Sequence, residues 1–246
     1  MRDIWKKAYR MHSLRAAFKK KRREAERTIG AFLDRTDRPY VAFSGGKDSL
    51  CLLILLSQMG ETIPVFTQGD DLDWPSKEAY CKRVVSELGF TDYEYRYSEV
   101  SAAEQVAAGA ERVRGTFSHV IEGYVKDRRR DGVLMGLRKE EAPGREMLRI
   151  TKGKTYETKD GLTRCIPLVD WSGKDVFALI LSTETEYIHV YDNDDDRPPH
   201  EIRFSWPVNP RFYYRDAANS AVWLRRNYPD FFRRLAERIP ALKNHI

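Results

Sequence analysis

Residues 40–49 read Tyr-Val-Ala-Phe-Ser-Gly-Gly-Lys-Asp-Ser, a stretch that changes from apolar side chains to glycine, lysine and hydroxyl groups. The first four residues are typical of a short buried strand, and the apolar segment from Leu50 to Met59 is typical of a helix. Glycines between a strand and a helix let backbone N–H groups approach an anion, which the positive end of the helix also attracts. The stretch therefore predicts a phosphate-binding loop, in which Lys47 supplies a full charge and Ser44 and Ser49 supply hydroxyl donors.

The spacing of this loop differs from the Walker A motif, which needs Gly-x-x-x-x-Gly-Lys followed by Ser or Thr. Here Gly45 and Gly46 are adjacent, and Asp48 follows the lysine. Ser-Gly-Gly-Lys-Asp-Ser resembles the PP-loop of ATP pyrophosphatases, which cleave ATP between the α and β phosphates. The resemblance implies ATP and Mg²⁺ as ligands. Asp48 is the candidate for Mg²⁺; orienting the loop or capping the helix are its alternative roles.

The composition fits one large domain, or one domain with appendages, because the chain has 246 residues of which 41% are hydrophobic. No apolar run approaches the roughly 20 residues of a membrane span. The basic N-terminus lacks the apolar stretch of a signal peptide. We therefore expect a cytoplasmic protein with no membrane contact.

The three cysteines, Cys51, Cys81 and Cys165, are dispersed and form no Cys-x-x-Cys pair. An odd, dispersed set argues against a disulfide framework and against a four-cysteine metal site. We expect three small buried residues and no iron–sulfur cluster.

The net charge of +6 is unevenly distributed, since residues 1–30 carry +8 and residues 211–246 carry +5, which leaves −7 for the middle. Basic ends on an acidic middle indicate contact with a polyanion such as DNA or RNA. Solvated helices are the equally weighted alternative. The run Lys19–Arg23 has the same two interpretations: it grips phosphates, or its helix docks on the domain or on another subunit, which would make a homo-oligomer.

Strand-like and helix-like segments alternate along the chain, which predicts an α/β fold with a mostly parallel twisted sheet and helices on both faces. Additional helices precede and follow this core. The predicted strands are 40–43, 62–67, 93–97, 133–136 and the extended segment 164–168, and a mobile or hairpin region is expected at 148–163. The predicted helices are 3–33, 50–59, 75–88, part of 101–126, 173–183 and 216–238. Loops 44–49, 67–75 and 136–145 and the segment after 168 should meet at the carboxyl ends of the strands.

A second charged cluster follows the strand at 133–136 and contains Gly136, Arg138, Glu141 and Arg145. Taken alone it is an ordinary charged surface loop. Together with the PP-loop it resembles the Gly-x-Arg-x-x-Glu-Ser/Thr-x-x-Arg element of the phosphoadenosine phosphosulfate (PAPS) reductase family, with Ala142 where Ser or Thr is usual. Residues 167–176, Pro-Leu-Val-Asp-Trp-Ser-Gly-Lys-Asp-Val, are similar to a third element of that family. The resemblance covers about residues 40–190 and implies an adenine nucleotide α-hydrolase-like fold.

The sequence also departs from this family. Thr67-Gln68-Gly69 stands where the family often has Asp-Thr-Gly, so backbone atoms of Phe66 and Gln68 could still make the nucleotide contact there. Sulfonucleotide reductases resemble one another in a C-terminal Glu-Cys-Gly-Leu-His whose cysteine is the nucleophile, and this chain has no cysteine after Cys165. Since PAPS reduction needs that thiol, we expect the chain alone not to catalyse it.

The resemblance implies roles for the two clusters. Lys47, Arg138 and Arg145 are the predicted catalytic residues, because they would neutralise charge that develops on the leaving pyrophosphate. Trp171 and Asp175 are predicted to pack and to cap a helix. The predicted nucleotide-binding set is Ser44, Gly45, Gly46, Lys47, Asp48, Ser49, Gln68, Gly136 and Glu141.

These features favour an ATP pyrophosphatase that adenylates an acceptor, with nucleic acid in a phosphorothioation-like sulfur modification as the candidate acceptor. A partner protein would then donate the sulfur. The alternatives are an enzyme that handles a sulfonucleotide or sulfate, and a non-catalytic nucleotide sensor or scaffold. We expect a basic N-terminal helix over 1–36, a PP-loop nucleotide-binding domain over 37–190, and an aromatic and basic extension over 191–246 packed on that domain.

Overall fold

The computed structural model describes residues 1–73, 76–108, 115, 118–192, 198–202, 224–226 and 228–245. Within these ranges the chain alternates between short strands and helices. The strands are β1 (Pro39–Ala42), β2 (Val65–Gly69), β3 (Tyr93–Tyr97), β4 (Gly132–Met135), β5 (Thr155–Glu157) and β6 (Thr163–Cys165). The helices are α1 (Asp3–Ser13), α2 (Ala16–Leu33), α3 (Lys47–Met59), α4 (Lys77–Glu87), α5 (Ala102–Ala107), α6 (Ser118–Asp127), α7 (Pro143–Lys152), α8 (Gly173–Ser182) and α9 (Pro229–Arg238).

The six strands form one sheet in the order β3-β2-β1-β4-β6-β5. β1 pairs in parallel with both β2 and β4, β4 pairs in parallel with β6, and β5 is antiparallel to β6. The chain leaves β1 toward β2 and β3 on one side and returns to β4 on the other. The switch point therefore lies between β1 and β4, where open α/β sheets bind their ligands. This confirms the predicted fold class.

The chain divides into two compact units. The first contains residues 1–67, 79–94 and 125–203, and the second contains residues 68–78, 95–124 and 204–246. The three-segment division expected from the sequence stays a prediction. Within the described ranges, no helix combines the length and apolar character needed to cross a bilayer.

The core of the first unit is built around α3 and α8. Every residue from Leu50 to Leu56 is buried, as is every residue of α8 from Asp175 to Ile180. A helix that is apolar on all sides must be covered on all sides, and each of these helices follows a strand of the sheet. α3 ends at Gly60, whose φ of 76° is the left-handed conformation that glycine adopts without strain. Because α3 follows β1 along the chain, its N-terminus lies at the switch point.

The N-terminal region is two helices, so the prediction of one helix over 3–33 is wrong. α1 ends at Ser13 and the backbone of Arg15 is extended before α2 begins. His12 from α1 and Lys21 from α2 both reach the Asp175 carboxylate, at 2.8 and 2.7 Å. The break lets both helices meet one buried acid, a long-range requirement that helical periodicity does not reveal.

The region predicted as mobile or hairpin at 148–163 contains the last five residues of a helix, and the rest belongs to a hairpin. α7 begins at Pro143 and continues to Lys152, where Gly153 ends it with a φ of 79°. β5 and β6 then form the hairpin. Proline at the first position and glycine just after the last are the usual signals of helix boundaries. Both are present here, although the composition of the segment is typical of a loop. Residues 193–197, 203–223, 227 and 246 of the expected aromatic and basic extension lie outside the described residues.

Candidate active site

The loop after β1 is shaped by its glycines and by two serines. Gly45 has a φ of 79°, and Gly46 is the N-cap of α3. The Ser49 hydroxyl accepts from the Ser44 N–H at 3.1 Å and lies 3.0 Å from the Ser44 hydroxyl. These bonds hold the loop folded over the positive end of α3, the position at which helices bind anions.

Lys47 is the first residue of α3 and its side chain is buried. Its ammonium donates to the Ile202 carbonyl at 3.1 Å, lies 3.4 Å from an Asp48 carboxylate oxygen and stands 5.1 Å above the centre of the Tyr191 ring. Its backbone N–H donates to the Tyr191 hydroxyl at 3.2 Å. Burial lowers the pKa of Lys47, which the Asp48 carboxylate opposes. The Lys47 ammonium thus lies in a buried site of low dielectric.

The loop after β4 meets this first turn through Arg138, whose side chain is 2% exposed. Its guanidinium contacts carboxylates of Asp48, Glu140 and Glu141, and Glu141 also contacts Arg145. Together with Lys47, the cluster holds three cations against three acids. Since the charges balance, an entering anion has to compete with the carboxylates for the cations. Asp48 serves here as an ion-pair partner of Arg138 and Lys47.

Gly136 is placed where the two loops touch. A Cβ built there would lie 2.7 Å from the Asp48 carbonyl carbon and from the Ser49 nitrogen, closer than any real contact. Only glycine lets β4 run this near the start of α3.

Replacing Gly136 with alanine should destabilise the protein by about 2 kcal/mol, as expected when a methyl group is forced into packed backbone. The unfolding midpoint in urea measures this loss. Gly144→Ala is the matched control because a Cβ at Gly144 meets no atom within 4 Å, and its stability should be equal or higher. An equally stable Gly136→Ala protein would contradict the close approach described here.

The loop after β6 joins the same network through backbone atoms. The Lys139 N–H donates to the Val169 carbonyl at 2.9 Å, and the Gly173 N–H donates to Glu140 at 2.7 Å. Three of the loops expected to converge, those after β1, β4 and β6, are therefore in contact. Trp171 is buried, and Asp175 completes a capping box with Ser172 at the start of α8. Their predicted packing and capping roles are confirmed.

Gln68 belongs to the second unit. Its amide donates to the Gly69 carbonyl at 2.9 Å, and its own carbonyl accepts from Lys77 at 2.9 Å. Lys77 also contacts Asp73 at 2.8 Å. The role of Gln68 in nucleotide binding stays a prediction.

All three cysteines are free and buried, as the sequence predicts. Burial raises the pKa of the Cys51 thiol well above its usual value and raises that of Cys165 to about 11. A buried thiol with a raised pKa is a poor nucleophile because little thiolate forms near neutral pH. In the described part of the chain, no three His, Cys, Asp or Glu side chains group as metal ligands.

Sequence reasoning missed the groups that close over Lys47. Tyr191 lies 144 residues away from the loop and belongs to a short 3₁₀ helix, His189–Asp192. Ile202 contributes a carbonyl, which every residue has. No local signal marks either residue, so only the fold identifies them.

A mostly parallel sheet with a glycine loop and a helix N-terminus at its switch point is the arrangement of an α/β ligand-binding protein. Residues 38–234 match the model of the phosphoadenosine phosphosulfate reductase domain. The chain belongs to this family.

Two solved structures share the fold at low sequence identity. The PAPS reductase from Candida auris, in a phosphate complex, is 14% identical with a TM-score of 0.55, and the match covers 69% of this chain and 84% of that one. The FMN adenylyltransferase from Candida glabrata, in complex with FAD and inorganic pyrophosphate, is 13% identical with a TM-score of 0.53, over 78% and 69% of the two chains. No curated protein matches the sequence.

Proposed function

We propose that this protein is a PP-loop ATP pyrophosphatase that transfers the adenylyl group of ATP to an acceptor. The observation that carries the proposal is the convergence of Lys47, the first turn of α3 and Arg138 at the switch point of the sheet. The two structural relatives were solved with phosphate and with pyrophosphate, which supports a phosphate-bearing ligand for this protein.

In this proposal the reaction is an in-line displacement at the α phosphorus. The acceptor oxygen forms the new bond, and the bond from the α phosphorus to the oxygen that bridges it to the β phosphorus breaks. The leaving pyrophosphate takes that oxygen with its electron pair, and the acceptor proton passes to solvent. Lys47 and Arg138 stabilise the charge that accumulates on the leaving group, while the loop N–H groups and Ser49 hold it in place.

The carboxylates of Asp48 and Glu141 suit a hard cation, since Mg²⁺ in nucleotide sites takes one or two carboxylates and completes its shell with phosphate oxygens and water. Bound Mg²⁺ would neutralise part of the phosphate charge. Asp48 would then exchange its contact with Arg138 for the metal, and this exchange would leave the guanidinium available to phosphate oxygens.

Reduction of a sulfonucleotide is the weaker candidate because it requires a nucleophilic thiol. Cys51, Cys81 and Cys165 are the cysteines of this sequence, and all are buried. We therefore favour nucleotide cleavage over sulfite formation. Nucleic acid is the proposed acceptor, and any sulfur would come from a separate donor protein.

The products of ATP labelled at both the α and γ positions test the proposal. The protein is incubated with Mg²⁺ and this ATP, with and without DNA, RNA or sulfate. AMP or an adenylated acceptor together with pyrophosphate supports it. ADP and phosphate would exclude α–β cleavage, and adenylylsulfate formed only with sulfate would favour the sulfate-handling alternative. Tight binding without any product would indicate a sensor.

A further inference from the structure

Helix α2 carries a row of cations on its solvent side. Arg15, at the N-cap, is followed by Lys19, Arg23 and Arg27, and all four side chains are exposed. Residues four apart lie on one face of a helix, and these four span about 18 Å at 1.5 Å per residue. We call this row the cationic stripe. The buried residues of α2 are Phe18, Ala25, Ile29 and Phe32.

The acids of α2 make their ion pairs with cations outside the stripe. Glu24 is paired with Lys154 at 2.5 Å, and Glu26 is paired with Arg22 at 2.7 Å. Among the ion pairs within the described ranges, none involves a member of the stripe. Four exposed positive charges thus lie on this face.

The structure also changes which cations form the basic surface. The run Lys19–Arg23 does not act as a unit, because Lys21 contacts the buried Asp175 at 2.7 Å and Arg22 is held by Glu26. Arg15 and Arg27, outside the run, complete the stripe. Like charges four residues apart repel one another in a helix, so the stability of α2 does not explain why they are aligned.

We propose that the cationic stripe binds the phosphate backbone of a nucleic acid. A nucleic-acid strand presents a phosphate about every 3.4 Å along the duplex axis, so a stripe of about 18 Å spans about five phosphates of one strand. An anionic membrane fits α2 less well, because a helix that lies in a membrane surface inserts apolar side chains and those of α2 are buried. This inference rests on the proposed function in one respect only, namely that the bound nucleic acid is the acceptor of the adenylyl group.

The test is nucleic-acid binding by a variant with Arg15→Gln, Lys19→Gln, Arg23→Gln and Arg27→Gln. Glutamine keeps a good helix propensity, and circular dichroism checks that the fold is retained. Fluorescence anisotropy with 20-residue single-stranded DNA, duplex DNA and RNA, without ATP, measures affinity from 50 to 200 mM salt. Contacts to four phosphates predict that log K falls with log salt at a slope of about −3.6 for a duplex, and less steeply for single strands. The variant should lose at least about ten-fold in affinity at 50 mM salt, together with most of that slope.

A matched control removes the same charge elsewhere, at exposed cations scattered over the chain: Lys7→Gln, Lys82→Gln, Lys126→Gln and Arg226→Gln. This control should keep its affinity within about two-fold and keep most of the slope. Equal losses in both variants would overturn the stripe as a site, and so would native protein that binds no oligonucleotide at 50 mM salt. Tighter binding to phosphatidylserine vesicles than to any nucleic acid, lost with the stripe, would overturn the choice of partner.

The ATP cleavage assay is run separately on the stripe variant without nucleic acid. Its basal cleavage should equal that of the native protein, because no member of the stripe belongs to the cluster around Lys47. Nucleic-acid binding by the native protein without ATP cleavage would contradict the proposed function and support the stripe. ATP cleavage without nucleic-acid binding would support the proposed function and contradict the stripe.

Discussion

Replacing Lys47 with alanine should lower the rate of pyrophosphate release by about 10²- to 10³-fold, which is the loss expected when a group that stabilises developing charge is removed. The effect should fall mainly on kcat, because charge on the leaving pyrophosphate is greatest in the transition state. The buried position of Lys47 strengthens its interaction with that charge. Steady-state kinetics with a coupled pyrophosphate assay measures the loss.

Lys174→Ala is the control for this prediction. Lys174 is exposed in the first turn of α8, so its loss removes one positive charge from the helix that follows β6 without touching the cluster around Lys47. Its turnover should stay within about two-fold of the native value, which is less than 0.5 kcal/mol of barrier. A Lys47→Ala protein that folds normally and keeps native turnover would show that the loop does not act on pyrophosphate.

Replacing Asp175 with asparagine should cost about 3 kcal/mol of folding stability. Asp175 is buried, completes the capping box of α8, and accepts from His12 and Lys21. The Ser172 cap is kept in the variant, so the cost comes from the two hydrogen bonds to the carboxylate, at about 1.5 kcal/mol each. Urea unfolding at pH 7 measures the free energy directly. Asp230→Asn is the control, since Asp230 is an exposed acid in the first turn of α9, and its cost should stay below about 1 kcal/mol.

The difference between native and Asp175→Asn proteins should also depend on pH. Burial alone would raise the pKa of Asp175, but hydrogen bonds from Lys21, His12 and Ser172 outweigh it and lower the pKa below its ordinary value. A lowered pKa means that the charged form contributes stability above the unfolded-state value of about 3.9, and that this contribution is lost as pH falls through the folded-state value. The difference should thus shrink below about pH 4. A difference that stays constant down to pH 2 would contradict this assignment.

Local chemistry explains what could be predicted from the sequence. Glycine at the end of α3, the bounds of β3 at Tyr93–Tyr97 and the loop at 44–49 follow from backbone preferences and side-chain periodicity, which act over a few residues. The ion pair of Arg138 with Asp48 could also be expected, because the loops that hold them follow parallel strands and lie at the same edge of the sheet. The break before Arg15 and the contacts of Tyr191 could not be predicted from the sequence. Each depends on partners more than 140 residues away in the chain.

If the proposed nucleotide takes the Lys47 ammonium in place of the Ile202 carbonyl, two equilibria determine its measured Kd. The ammonium must then separate from that carbonyl, and the measured Kd equals the intrinsic Kd divided by the fraction of molecules already separated. If about one molecule in a hundred is separated, nucleotide binds about a hundred-fold more weakly than the loop alone would allow. Anything that holds Ile202 away from the loop would then raise nucleotide affinity without touching the nucleotide.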